Sequence, residues 1–246
     1  MLKGKTALIT GTNRGIGKAL VEEFACSGAD IIAHARRETP EFMQICEGIR
    51  AEYGVKVTPL FFDMLDSEAM KNAVRGLISS KTPVNVLINN AGAAHGGLFQ
   101  MTSMTQIRKV FDINLFSHME LTQHLLRYMA KWGEACVINM GSVLGLDMPR
   151  GSCAYGLSKA ALMAFTRTLA AECAPLGMRV NALAPGLVDT EMADMMEEEA
   201  EKAMMNQCAL KRRATPQEIA RAVVFLASAE SSFVNGQILR VDGGKA

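Results

Sequence analysis

Short apolar segments alternate with longer amphipathic segments along the whole chain. The apolar segments are rich in β-branched residues and have the length of strands, whereas apolar positions recur at helical spacing between them. The predicted strands are KTALIT, DIIAHA, KVTPLFF, VNVLIN, ACVINMG, MRVNALAP and QILRVDGG. Two predicted helices begin near Gly15 and near Asp66. The other predicted helices cover residues 41–53, 102–131 and 152–174 and the segment PQEIARAVVFLAS.

This alternation predicts an α/β fold. Strands separated by helices of about ten or more residues pair in parallel through right-handed crossovers. We therefore expect a doubly wound, three-layer αβα sandwich with a seven-stranded parallel sheet. No linker rich in Pro, Gly or Ser divides the 246 residues, of which 49% are hydrophobic. A chain of this length can bury one sizeable core, so we predict a single domain over residues 1–246.

The composition limits the kinds of molecule that the protein is expected to bind. The chain has 26 basic and 25 acidic residues, a net charge of +1 that favours neither nucleic acid nor an anionic membrane. The longest apolar runs fall well short of the roughly 20 residues of a membrane span. Six scattered cysteines without a C-x-x-C pair indicate free thiols and no metal site. We expect a soluble cytoplasmic protein that binds a small molecule.

A glycine loop, LITGTNRGIG, follows the first predicted strand. A strand that turns sharply into a helix directs backbone N–H groups and the helix dipole at an anion such as pyrophosphate. Gly11 can make the turn, and Gly15 and Gly17 let backbone and ligand approach closely. Glycines also end strands for purely conformational reasons, but the strand-loop-helix context favours nucleotide binding.

The end of the second strand indicates which nucleotide is bound. A carboxylate there would bind a ribose 2′-hydroxyl and repel a 2′-phosphate, but the chain reads Ala33-His34-Ala35-Arg36-Arg37. Arginine matches phosphate oxygens, and Arg14 enters the same region from the glycine loop. The alternative is that Arg36 and Arg37 are a solvated pair at a helix start. The missing acid favours NADP(H) over NAD, with Arg37 as the more solvated of the pair.

Tyr155 and Lys159 lie four residues apart on a predicted helix and share one of its faces. A cation about 4 Å away is worth roughly 4 kcal/mol at an effective dielectric of about 20. That would lower the phenol pKa from about 10 toward neutrality, where an acid–base catalyst works best. Ser142, after the fifth strand, could donate a hydrogen bond to the oxygen of a carbonyl that accepts hydride. A Tyr and a Lys at this spacing can also be a chance surface pair.

Several motifs in the same order resemble those of the short-chain dehydrogenase/reductase family. They are TGTNRGIG, NNAG at 89–92, YGLSK at 155–159, PG at 185–186 and VDGG near the end. The resemblance covers essentially the whole chain and implies a Rossmann-like fold. It implies that Tyr155 gives a proton to the substrate oxygen and that Ser142 orients the carbonyl. It also implies that Lys159 lowers the pKa of Tyr155, and that Asn114 positions a water in a proton relay to Lys159.

The same resemblance implies a set of cofactor contacts. Asp63 would contact the adenine and Asn90 the adenosine ribose, although Asp63 could instead be a helix N-cap or turn acid. Val188 and Thr190 would lie near the nicotinamide amide. The full implied set is Gly11, Asn13, Arg14, Gly15, Ile16, Gly17, Arg36, Asp63, Met64, Asn90, Ala91, Gly92, Tyr155, Lys159, Pro185, Gly186, Val188 and Thr190.

Within the family, the chain is most similar to the 3-oxoacyl-[acyl-carrier-protein] reductases of fatty acid biosynthesis, which are NADPH enzymes and usually homotetramers. The resemblance implies a 3-oxoacyl thioester substrate on acyl carrier protein or CoA. The chain departs from it at Leu176, where an arginine that docks the carrier protein is common, although Arg127 and Lys131 keep the long helix basic. A sugar, polyol or other small ketone or alcohol is the alternative substrate. A non-catalytic nucleotide-binding protein is a further alternative.

The segment EMADMMEEEAEKAMM, residues 191–205, lies where the family has its substrate lid. Its apolar side chains can share one helical face and offer an adaptable lining. They could equally pack on the body of the protein. The predicted face consists of Met192, Met195, Met196, Ala203 and Met204.

Overall fold

Seven strands form one parallel sheet through the centre of the protein. The computed structural model describes residues 1–194, 196 and 198–245. The strands are β1 (Thr6–Ile9), β2 (Asp30–Ala35), β3 (Val57–Phe61), β4 (Val86–Asn89), β5 (Cys136–Met140), β6 (Arg179–Pro185) and β7 (Ile238–Val241). Their order is β3-β2-β1-β4-β5-β6-β7, and neighbouring strands are parallel throughout. The predicted α/β fold with its seven-stranded parallel sheet is confirmed.

Helices cover both faces of the sheet. They are α1 (Gly15–Cys26), α2 (Pro40–Tyr53), α3 (Ser67–Ser79), α4 (Met104–Phe111), α5 (Ser117–Met129), α6 (Leu144–Asp147), α7 (Cys153–Cys173), α8 (Glu191–Asp194), α9 (Glu198–Gln207) and α10 (Pro216–Ala227). Helices α1, α2 and α10 bury their apolar sides on one face, and α3, α5 and α7 on the other. In β1, Ala7 and Ile9 face the first layer and Leu8 faces the second. Because both faces are covered, most strand positions are apolar.

The sheet places the loops that matter for function next to one another. The chain builds β1, β2 and β3 toward one edge and then returns to add β4 on the other side of β1. The loops that leave β1 and β4 therefore diverge at the carboxyl end of the sheet and open a crevice, the usual ligand site in this architecture.

The predicted helix over residues 102–131 is divided in the structure. Helix α4 ends at Phe111, a π-helical turn covers Asp112–Phe116, and α5 begins at Ser117. The helical periodicity of the sequence continues through the turn, so the pattern alone does not reveal it. The extra residue of a π-helical turn changes the direction of the side chains that follow, and such turns are common at functional sites.

The expectation of one apolar helical face over residues 191–205 is wrong. The segment forms two separate helices, α8 and α9, and Met196 lies between them. Met192 is exposed on α8, Met204 is half-buried on α9 and Ala203 is exposed. Met195 lies outside the described residues. Within the described part of the chain, the helices lack the combination of length and apolar character needed to cross a bilayer.

Candidate active site

The glycine loop is shaped by contacts within the protein itself. Gly11 and Gly15 have φ of +70° and +53°, in the left-handed region that favours glycine. A Cβ on Gly17 would lie 1.9 Å from the carbonyl oxygen of Gly11. The sequence assigned Gly17 to close approach of a ligand, but its nearest neighbour is the loop backbone. Glycine at this position lets the first turn of α1 pack directly onto the loop.

The N-terminus of α1 is suited to bind an anion. Arg14 precedes the helix in an extended conformation, and among the described residues no side chain caps the first turn. The first N–H groups of a helix lack intrahelical partners, and the helix dipole adds positive potential there. Asn13 is exposed beside these groups, whereas Ile16 is half-buried and packs against the core. The loop therefore fits the pyrophosphate of a dinucleotide.

The segment after β4 is hydrogen-bonded to the glycine loop. The Thr10 hydroxyl accepts from the backbone N–H of Asn90 and of Ala91, both at 2.9 Å. The Asn90 amide donates to the carbonyl oxygens of Thr10 (2.8 Å) and Gly11 (3.1 Å). These bonds join the two loops that border the crevice into one unit. Thr10 was not singled out from the sequence, because its partners lie about eighty positions further along the chain.

The ends of β2 and β3 border the other side of the loop. Arg36 is exposed at the end of β2, and no ion pair of Arg36 is found within the described residues. Arg14 is ion-paired with Glu191, which begins α8. The Asp63 carboxylate accepts from the backbone N–H of Leu65 at 3.0 Å, as a turn acid does. The N-cap of α3 is Asp66 instead.

Close packing of α6 and α7 brings Ser142 toward Tyr155. A Cβ on Gly145 would lie 2.7 Å from the backbone nitrogen of Ala160, and a Cβ on Gly156 would lie 2.7 Å from the carbonyl oxygen of Leu144. Two glycines therefore let the helices meet backbone to backbone. The Ser142 hydroxyl accepts from the N–H of Leu144 at 3.1 Å, which fixes its orientation.

Burial controls the charge of Tyr155 and Lys159. Burial raises the pKa of the Tyr155 phenol, and the nearby Ser142 hydroxyl acts in the opposite direction. Burial lowers the pKa of Lys159 to about 8. The Lys159 Nζ donates to the carbonyl oxygen of Met140 at 2.7 Å and lies 5.8 Å from the Tyr155 ring centroid. The expected lowering of the phenol pKa by Lys159 is not seen, because burial is the largest effect on Tyr155 and raises its pKa.

The π-helical turn places Asn114 in the same buried region. Its amide nitrogen donates to the carbonyl oxygen of Ala93 and to the Ser158 hydroxyl, both at 3.0 Å. Its oxygen accepts from the N–H of Ala93 at 2.8 Å. A Cβ on Gly92 would lie 3.2 Å from the Asn114 oxygen and 3.6 Å from Lys159 Nζ. Gly92 therefore separates Asn114 from Lys159, and glycine keeps the space between them open.

The turn after β6 closes the remaining side of the crevice. The Pro185 carbonyl accepts from the N–H of Val143 at 3.0 Å, which links this turn to the Ser142 loop. The methyl group of Thr190 would lie 3.3 Å from a Cβ on Gly15. Val188 is buried and pairs with Ala214 in an isolated parallel bridge. The remaining implied contacts are a buried Met64 and a half-buried Gly186.

The segment beyond this turn is held by one arginine. The Arg213 guanidinium binds the carboxylates of Asp194 at 2.7 Å, Glu201 at 2.8 Å and Asp189 at 3.1 Å. Helices α8 and α9 are thus joined electrostatically at the mouth of the crevice. The sequence did not reveal this cluster, because its members are spread from residue 189 to residue 213 and look like ordinary surface charges.

Comparisons with known proteins agree with this geometry. A family model described as "Enoyl-(Acyl carrier protein) reductase" matches residues 11–246. The 3-oxoacyl-[acyl-carrier-protein] reductase of Aquifex aeolicus is 34% identical over 99% of this chain and 98% of that protein. A short-chain dehydrogenase from Burkholderia cenocepacia, solved in complex with NADP, superposes with a TM-score of 0.91 at 30% identity, covering 99% of this chain and 98% of that one. A dehydrogenase/reductase from Sinorhizobium meliloti superposes with a TM-score of 0.92 at 30% identity, covering 99% and 95%.

Proposed function

Because this chain belongs to the short-chain dehydrogenase/reductase family, we propose that it is an NADPH-dependent oxidoreductase that interconverts a carbonyl and a secondary alcohol. The single observation that carries this proposal is the Ser142, Tyr155 and Lys159 cluster beside the crevice. A protein that only binds nucleotides has no need of a phenol beside a serine hydroxyl and a buried ammonium. The proposal takes residues 1–246 as one domain, since β1 to β7 belong to a single sheet.

The residues around the crevice suit NADP(H). The uncapped N-terminus of α1 would hold the pyrophosphate, and Arg14 and Arg36 would hold the 2′-phosphate, with no acid at the end of β2 to repel it. Asp63, Met64, Asn90 and Ala91 would border the adenosine, and Pro185 to Thr190 the nicotinamide. When bound, the nicotinamide supplies the hydride. Arg14 would have to exchange Glu191 for the phosphate.

The protein's own residues would move the proton. Tyr155 would donate its phenolic proton to the carbonyl oxygen as negative charge develops there, and Ser142 would donate a hydrogen bond to the same oxygen. With its pKa near 8, Lys159 is mainly an ammonium at pH 7 and would stabilise the phenolate that remains. Asn114 would hold a water molecule that takes part in a proton relay to Lys159.

A 3-oxoacyl thioester is the proposed substrate, carried on acyl carrier protein or CoA, with a role in fatty acid biosynthesis. Support comes from the full-length similarity to a protein named as a 3-oxoacyl-[acyl-carrier-protein] reductase. The chain departs from the carrier-docking pattern at Leu176, which is exposed where a docking arginine is common. Arg127 and Lys131 are exposed on and after α5 and keep some positive charge in that region.

A substrate panel with NADPH tests the proposed reaction. We expect the highest kcat/KM for 3-oxoacyl thioesters, measured as NADPH oxidation, and lower values for sugars, polyols and simple ketones. Comparing the same acyl group on CoA and on acyl carrier protein shows whether a carrier docks. Fastest turnover of a sugar or polyol would contradict the acyl assignment, and turnover of no carbonyl at all would favour the non-catalytic alternative.

A homotetramer in the cytoplasm is the proposed form of the protein. Among the exposed apolar side chains of a single chain, those of two regions are proposed to form the contacts between subunits. The first region, on the middle helices, contains Met104, Phe116, Met119 and Leu157. The second, near the C-terminus, contains Phe225 and the fully exposed Phe233. The six free cysteines support a reducing compartment.

Sedimentation velocity tests this assembly. We expect the protein to sediment with four times the 26.6 kDa mass of one chain. Phe116→Asp and Phe233→Asp should each produce a smaller species, because a carboxylate would be buried at an interface. Ile78→Asp, on α3 and outside both regions, is the control and should leave the mass unchanged. A monomer in the unsubstituted protein would contradict the proposal.

A further inference from the structure

His34 is a buried histidine that the reaction described above does not use. It lies near the carboxyl end of β2 and is 2% exposed. Its Nδ1 accepts from the backbone N–H of Gly11 at 3.2 Å, and its Nε2 lies 3.0 Å from the carbonyl oxygen of Phe62. The ring also packs on the Phe62 ring, with 4.1 Å between centroids. One side chain therefore joins the glycine loop to the end of β3.

The backbone of His34 strengthens the same connection. Its carbonyl oxygen accepts from the N–H of Thr12 at 2.9 Å and from the Thr12 hydroxyl at 3.0 Å. Together with the ring, His34 binds two successive residues of the loop that faces the pyrophosphate site. Arg36 lies two residues further along the chain, just after β2, and Asp63 directly follows Phe62.

Only one neutral tautomer of the His34 imidazole can form both hydrogen bonds. The Gly11 N–H can only donate, so Nδ1 must be unprotonated, and the Phe62 carbonyl can only accept, so Nε2 must carry the proton. Burial lowers the pKa of His34 to about 4, while the Phe62 carbonyl and Asp63 act in the opposite direction. The ring is therefore neutral at pH 7, and its tautomer is set by the loop and by β3.

We propose that His34 is a positioning residue for cofactor binding, which holds the glycine loop in its anion-binding conformation and in register with the ends of β2 and β3. The proposal rests on the proposed cofactor site. His34 acts on the loop backbone and not on the 2′-phosphate, so its loss should weaken NADPH and NADH alike. This separates its role from that of Arg36, which selects between the two cofactors.

Three substitutions dissect the two ring contacts. His34→Leu removes both and leaves the half-buried Gly11 N–H without its acceptor. His34→Asn puts an amide oxygen near the position of Nδ1, and His34→Gln puts an amide nitrogen near that of Nε2. We expect the Kd values of NADPH and NADH, measured by fluorescence titration, to rise about tenfold in His34→Leu and His34→Gln, because the Gly11 N–H loses its acceptor. In His34→Asn they should stay near those of the unsubstituted protein.

Steady-state kinetics separate positioning from general loss of structure. In His34→Gln we expect a higher KM for NADPH, with kcat at saturating NADPH and KM for the carbonyl substrate unchanged. Equal Kd values in His34→Asn and His34→Gln would overturn the proposal, and this comparison does not depend on His34→Leu folding. If the unsubstituted protein bound neither cofactor, both the role of His34 and the proposed function would be contradicted. If the unsubstituted protein and every variant bound equally well, only the role of His34 would fail.

Discussion

Tyr155→Phe should abolish NADPH-dependent reduction of the carbonyl substrate while leaving NADPH affinity little changed. The substitution removes the proposed proton donor and keeps the ring that packs beside Lys159. General acid catalysis contributes about a hundredfold to ten-thousandfold to a rate, so we expect kcat to fall by about a thousandfold. Stopped-flow or steady-state NADPH oxidation gives kcat, and fluorescence titration without substrate gives the Kd of NADPH.

The electrostatics of the site explain why the phenol would act as an acid in this direction. Burial raises the pKa of Tyr155, so the phenol is protonated at pH 7 and has a proton to give. As the proton leaves, the Ser142 hydroxyl and the Lys159 ammonium stabilise the negative charge of the phenolate. Those partners matter more after transfer than before it, which is the condition for lowering a barrier.

Tyr128→Phe is the matched control for this substitution. Tyr128 lies on α5, away from the crevice, and its hydroxyl donates to the carbonyl oxygen of Thr82 at 2.9 Å. Losing that hydroxyl should leave kcat unchanged, with at most a small loss of stability. Undiminished turnover in Tyr155→Phe, or an equal loss in Tyr128→Phe, would show that Tyr155 is not the proton donor.

The sheet could be predicted from the sequence because the central strands are buried on both faces. A run such as DIIAHA is apolar enough to be recognised, and β2 covers that same segment, Asp30–Ala35. Two features escaped prediction. Helix α6 is four residues long, too short to show periodicity. The π-helical turn at 112–116 keeps the apolar spacing of its neighbours.

The site was predictable where its residues are neighbours in the chain. Tyr155 and Lys159 are one helical turn apart, so their shared face follows from their spacing. Contacts between distant segments were not predictable, as the bond between Gly11 and His34 illustrates. The pKa of Tyr155 depends on how α6 packs on α7, which the sequence indicates only through two glycines. The ion pair between Arg14 and Glu191, 177 positions apart, could not be predicted from the sequence either.

Arg36→Asp should reverse the preference of the protein for NADPH over NADH. Arg36 is exposed at the end of β2, where an acid would accept from a ribose 2′-hydroxyl and repel a 2′-phosphate. Replacing a guanidinium with a carboxylate both removes an attraction and adds a repulsion. We expect the Kd of NADPH to rise by about a hundredfold, equivalent to about 2.7 kcal/mol, while that of NADH stays level or falls.

Arg37→Asp is the matched control, because it makes the same change of charge one residue further along. Arg37 is also exposed, in the bend that follows β2. A general electrostatic effect would weaken NADPH similarly in both variants and would shrink as salt screens exposed charges. A direct contact with the 2′-phosphate would change the ratio of the two Kd values strongly in Arg36→Asp and only weakly in Arg37→Asp. Equal weakening of NADPH and NADH in Arg36→Asp would refute the assignment, because only NADPH carries the phosphate that Arg36 is proposed to bind.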